Sequence, residues 1–181
     1  GLEEFFIGSN AYRVVTASTM PVLTVQKHAD KFGYQNIALP IDSSKHTRDK
    51  VAEAAHLAKR FGATIHIGAL ITEEHEDEKN VFNLKVKQIE EYLSDEGVAF
   101  KTSFNHGENI ADMTIKHAKE VNADLIVIMT EQEAATGLFV GPYAQQIVNH
   151  SKIPVLSVTP IETVTSFGQD QLAGDYRPFY I

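Results

Sequence analysis

Apolar residues in this chain come in short runs and helical stripes that alternate from residue 36 to residue 159. The run Asn36-Ile-Ala-Leu-Pro-Ile-Asp42 is apolar and ends in an acid and two serines, which predicts a buried strand stopping at a helix cap. Val51, Ala54, Ala55, Ala58 and Phe61 then fall at helical spacing and stop at Gly62, a natural residue just past a helix end. A second strand is expected over Thr64 to Ile71. The stripe Phe82, Val86, Ile89 and Leu93 predicts a second helix, closed by Asp95, Glu96 and Gly97, and Val98 to Phe104 a third strand. Ile110, Ala111, Thr114, Ala118 and Val121 predict a third helix, and Asp124 to Met129 a fourth strand, apolar throughout as a strand covered on both faces must be. Gly141-Pro142 opens a fourth helix through Ala144, Ile147 and Val148, and Pro154 to Val158 is the fifth strand. Such alternation predicts an α/β fold with a parallel sheet and helices on both faces.

One pattern occurs twice. Residues 6 to 26 are echoed without a gap at 139 to 159, an offset of 133. The echo pairs Phe6, Gly8, Ala11, Val15, Ser18, Pro21, Val22, Leu23 and Val25 with identical residues, nine of 21 positions, where average usage gives roughly one. The offset is about one domain length, so residues 1 to 26 are expected to be the last helix and strand of a preceding domain. Residues 27 to 35 then read as a linker, 36 to 159 as a whole domain, and 160 to 181 as a partly ordered polar tail with a late aromatic cluster, Tyr176, Phe179 and Tyr180.

Composition narrows the function. The chain has 181 residues, 43% of them hydrophobic and 22% charged, as in ordinary soluble globular proteins. A net charge of −8 disfavours nucleic acid and anionic membrane surfaces as partners. There is no cysteine, which removes disulfides, thiolate nucleophiles and cysteine-ligated zinc and fits a reducing, cytoplasmic setting. No apolar run approaches the roughly 20 residues of a membrane span. His46, His75 and His106 are all expected in loops at the carboxyl edge of the sheet, but no pair has the spacing of a zinc enzyme, so no metal is expected. Neither a Gly-x-Ser-x-Gly elbow, a Walker loop nor a dinucleotide fingerprint is present, and enzymatic activity is not expected.

The Leu-Pro-Ile-Asp-Ser strand end, the Asp-Leu-Ile-Val strand and the ending Gly-x-x-Ala-x-x-Ile-Val-x-x-Ser-x-x-Pro-Val-Leu-x-Val together resemble the universal stress protein family, over about residues 36 to 159. The resemblance implies a three-layer, flavodoxin-like or adenine-nucleotide-hydrolase-like fold with five parallel strands in the order 3-2-1-4-5. It also implies a tandem member, and association of units through the edge formed by the fifth strand. Residues 21 to 25 are accordingly expected beside 154 to 158, within one chain or exchanged between two in a homodimer.

ATP-binding members carry a Gly-x-x-Gly-x9-Gly-Ser/Thr loop after the fourth strand, where glycines let backbone N–H groups approach the phosphates. On that pattern Met129 and Gln132 stand where the first two glycines would fall, only Gly141 remains, and Pro142 replaces the hydroxyl residue. Glu131 and Glu133 add repulsion on the order of a few kcal/mol near a triphosphate. No cofactor is therefore expected. The alternative is a residual pocket for AMP, ATP or another small anion at Asp42, Ser43, Gly137 and Gly141, although Ser43 or Ser44 also suits a helix cap with Asp42 accepting nearby backbone N–H groups. The function that follows is a non-catalytic stress-response module acting through protein association, with small-molecule sensing as the alternative.

Overall fold

A computed structural model of the chain describes residues 14–15, 17–25, 33–72, 76–130 and 142–160. Its strands are β1 (Val22–Thr24), β2 (Asn36–Ile41), β3 (Thr64–Ile71), β4 (Phe100–His106), β5 (Leu125–Met129) and β6 (Val155–Val158). Its helices are α1 (Val51–Phe61), α2 (Glu76–Asp95), α3 (Ile110–Glu120) and α4 (Pro142–His150). The strands form one sheet in the order β1-β6-β5-β2-β3-β4, parallel throughout except that β1 runs antiparallel to β6.

Both faces of β2, β3, β5 and β6 are covered, which is why these four strands are nearly continuous buried runs, whereas β1 and β4 at the rims are partly exposed. Alternate residues of β5 divide between two cores: Leu125, Val127 and Met129 join Leu39, Ile67, Val51, Ala58, Phe82 and Leu93 on the α1 and α2 side. Ile126 and Ile128 join Ala38, Ala111, Ala118, Ala144, Ile147 and Val148 on the α3 and α4 side. Among the described residues no helix is long and apolar enough to cross a membrane.

Element ends follow local chemistry. Helix α1 stops where Gly62 turns left-handed at φ 65° and its N–H bonds Ala58 O, a conformation that costs glycine little. Asn109 caps α3, its side chain accepting from the N–H groups of Ala111 and Asp112. The strand expected from Val98 begins later, at Phe100, because Val98 N–H bonds Leu93 O and its side chain closes the core at the end of α2. Phe61, expected in the buried stripe of α1, is 41% exposed and stacks edge-on against Tyr34, with ring centroids 5.3 Å apart.

The sequence echo has a structural counterpart. Ser18 Oγ donates to Met20 O and accepts from Met20 N–H, and Ser151 Oγ does the same with Ile153. Ser18 N–H bonds Val14 O, as Ser151 N–H bonds Ile147 O. The two strands that follow pair in register Val22 with Ser157, Leu23 with Leu156 and Thr24 with Val155. Leu156 is the echo of Leu23 at the offset of 133, so exchanging each residue for its counterpart turns this ladder into itself. Self-complementary pairing of this kind is what two equivalent edges make when they meet about a two-fold axis. Residues 139 to 141 of the echo, like Phe6, Gly8 and Ala11, lie outside the described residues.

Glycine matters most at Gly68 in the middle of β3. A Cβ there would lie 2.6 Å from His117 Cδ2 and 3.0 Å from its Cγ and Nε2, so the ring of this α3 residue occupies the space a side chain would need. Gly68→Ala is expected to destabilise the protein by about 1–3 kcal/mol in urea unfolding, as overpacking does. Most of that loss disappears when the same change is made in a His117→Ala background, where the ring is gone; simple additivity would contradict the packing account.

Candidate functional site at the carboxyl edge

In a doubly covered parallel sheet the free space for a ligand lies beyond the carboxyl ends of the strands, where the chain connections diverge. Here β2 is central, β5 leads away on one side and β3 on the other, so the turn after β2 lies at that divergence. It begins at Asp42, which is 7% exposed. Asp42 Oδ1 accepts from the N–H of Ser44 at 3.0 Å and from its hydroxyl at 2.5 Å, while Asp42 N–H donates to Thr47 Oγ1 at 3.0 Å.

Asp42 thus accepts a neighbouring backbone N–H as expected, but neither Ser43 nor Ser44 caps a helix. Residues 44 to 50 form successive tight turns, with Thr47 N–H on Ser44 O, Asp49 N–H on His46 O and Val51 N–H on Arg48 O, and α1 starts only at Val51 after Lys50. The Ser44 hydroxyl is committed to Asp42, which removes it as a cap. Ser43 is exposed, and the carbonyls of Ser43 and Ser44 accept from Lys85 Nζ of α2 at 2.8 and 3.3 Å, tying the turn to the neighbouring helix.

The residue that sequence reasoning missed is Lys50. It is 3% exposed, and its ammonium donates to Thr47 O at 2.8 Å and Thr47 Oγ1 at 3.4 Å. Burial pulls its pKa down to about 8, against the pull of Asp42 and Asp49, which favour the charged form. Lysine is rarely buried, so a lysine at the start of an amphipathic helix reads as solvated; only the turn over it reveals otherwise. Across the same edge, buried Tyr143 of α4 places its hydroxyl 3.2 Å from Thr114 Oγ1 of α3. Burial holds the phenol well above its ordinary pKa, with the Thr114 bond opposing and Asp42 adding to the rise. At the end of β5, Thr130 N–H and Oγ1 both bond Val158 O.

Of the residues expected to form a nucleotide or anion pocket, Asp42 comes together with Thr47 and Lys50, Ser43 is exposed next to it with its carbonyl on Lys85, and Gly137 and Gly141 lie outside the described residues, as do Glu131, Gln132 and Glu133. Of the three edge histidines, His46 Nδ1 contacts Asp49 Oδ2 at 2.9 Å, His106 ends β4, and His75 lies outside the described residues. Among the described residues no group of three His, Asp or Glu side chains is placed to hold a metal ion. Chemically, the edge offers a buried carboxylate, a hydroxyl and an ammonium in one tied turn.

Lys50 makes the site titratable. A lysine whose folded pKa lies below its unfolded value binds its proton more weakly in the folded state, so the penalty is full below about pH 8 and fades as pH rises toward 10.5. Unfolding free energies of the protein and of Lys50→Met, measured in urea from pH 8 to 10, are expected to diverge by roughly 2 kcal/mol in favour of the lysine protein as pH rises. The difference between the two removes the opposing ionisation of Tyr143; a difference that stays flat would contradict the burial of the ammonium.

Comparison with known proteins places this geometry in context. The profile of the universal stress protein family matches residues 33–159. Among solved structures, the chain is similar to universal stress protein UspA from Lactobacillus plantarum, with a TM-score of 0.59, 19% identity and coverage of 71% of this chain and 99% of that one. It is also similar to a universal stress protein from Archaeoglobus fulgidus, with a TM-score of 0.66, 18% identity and coverage of 84% of this chain but only 54% of that longer one. A third is a universal stress protein in complex with cAMP, with a TM-score of 0.58, 20% identity and coverage of 70% and 98%. Curated proteins gave no match. These likenesses share the α/β fold, and the family profile runs from just before β2 to just past β6: the chain belongs to the universal stress protein family.

Proposed function

We propose that this protein is a non-catalytic stress-response module of the tandem type that works by association, joining a second copy of its own chain through the segment that carries β1. The carrying observation is a contrast between the two halves of the echo. Val14, Met20, Leu23 and Val25 are 58%, 69%, 44% and 53% exposed, whereas their counterparts Ile147, Leu156 and Val158 are 0%, 8% and 6% exposed and Ile153 is partly buried. In the later copy those positions are covered by β5 and by the helices that flank the sheet; in the earlier copy nothing among the described residues covers them. Leaving four large apolar side chains exposed along one short segment is costly, and such patches mark association surfaces. The β6 edge is already paired with β1, so what a second copy meets is β1 itself, now the rim of the sheet, together with the exposed apolar side chains of its segment.

A second reading, sensing of AMP, ATP or another small anion at the carboxyl edge, draws support from the buried Lys50 ammonium beside Asp42 and Thr47. The tied turn and the acidic residues after β5 favour association over a triphosphate site.

One comparison separates the two. Analytical ultracentrifugation at about 50 μM is expected to show a dimer, and Met20→Glu with Val25→Glu to return it to a folded monomer with unchanged circular dichroism, since both side chains are exposed. A protein that stays monomeric, while calorimetry shows saturable AMP or ATP binding tighter than about 0.1 mM, would move the function from association to sensing.

A further inference from the structure

A second polar arrangement lies away from the carboxyl edge, between α3 and the outer strands β3 and β4. Gly68 of β3 stands opposite Ser103 of β4 in the parallel register, and the missing side chain at Gly68 lets the buried His117 ring lie over it. His117 Nε2 is 3.2 Å from the main-chain carbonyl of His66. A carbonyl only accepts, so Nε2 carries the hydrogen, and in the neutral imidazole Nδ1 is left as a lone pair. That lone pair is 3.3 Å from Ser103 Oγ, so the hydroxyl donates to it. The Asn105 side-chain amide donates to the same Oγ at 3.3 Å. A buried base whose tautomer is fixed by a third group, hydrogen-bonded to an exposed hydroxyl, is the arrangement that activates a serine, and unliganded examples are commonly somewhat looser than 3.2 Å.

We infer that Ser103 is a covalent acyl-acceptor site, modified by small activated esters or thioesters with His117 as general base. In the step, Ser103 Oγ attacks the acyl carbon as its proton passes to His117 Nδ1. The bond from the acyl carbon to the departing oxygen or sulfur breaks, and the leaving group takes the proton from Nδ1, leaving an ester on Ser103 and a neutral His117. No oxidant or metal enters the balance. The inference is independent of association through β1, because β4 is at the opposite end of the sheet.

The test is incubation of the full chain with p-nitrophenyl acetate and mapping of acetyl groups by peptide mass spectrometry. Acetylation at Ser103 is expected to be at least about tenfold faster than at any other serine, and His117→Gln to slow it by about tenfold or more. Ser103 is exposed, so Ser103→Ala keeps the fold and is expected to abolish the fast phase of p-nitrophenol release. Acetyl groups spread over serines and lysines without preference for Ser103, or a fast phase that survives in Ser103→Ala, would overturn the assignment whatever the stability of the His117 variant.

Discussion

The antiparallel ladder between β1 and β6 is the contact on which the rest of the architecture depends. Every residue of β6 is buried, yet without β1 this strand would form the rim of the sheet and present a row of unpaired N–H and C=O groups. β1 supplies the missing partners through only three residues, reinforced by Thr24 Oγ1 on Val155 O and Thr159 Oγ1 on Ser18 O. A strand so short is marginal by itself and holds because the chain delivers it to an edge of matching pattern. Covering β6 makes β1 the rim of the sheet and leaves Val14, Met20, Leu23 and Val25, in β1 and beside it, exposed.

The same sheet sets the chemistry of its two polar regions. At the carboxyl end of β2 the polar groups of the turn from Asp42 to Lys50 satisfy one another: Ser44 on Asp42, Asp42 N–H on Thr47, Lys50 on Thr47. Turning the ammonium inward costs solvation, offset by the nearby carboxylates and the Thr47 carbonyl. Toward the other edge of the sheet, His117 of α3 lies across Gly68 of β3 and reaches Ser103 of β4.

Much of the frame was legible along the chain because it rests on local and periodic signals. The Val51-Ala54-Ala55-Ala58 stripe and Gly62 gave α1 and its end, the continuous apolar run at Leu125 gave a doubly covered strand, and the echo at offset 133 put residues 21 to 25 beside 154 to 158, where β1 pairs with β6. What escaped depends on contacts between distant elements. The burial of Lys50 needs the turn over it, the delayed start of β4 needs Val98 drawn into the core, and the Ser103 and His117 pair joins residues 14 apart only because β4 and α3 pack side by side. Gly137 and Gly141, read from the loop after β5, lie outside the described residues.

The chain lacks cysteine, which allows a direct test of the ladder by placing cysteines at Leu23 and Leu156 and oxidising the protein. Facing residues in adjacent strands have Cβ atoms about 4.5–5.5 Å apart, close enough for a strained but formable disulfide. Non-reducing electrophoresis is predicted to show rapid, nearly complete cross-linking within a single chain, far ahead of a control with cysteines at Leu23 and Val155. Equal cross-linking of the control, or none at Leu23 and Leu156, would contradict the register and with it the pairing that covers β6.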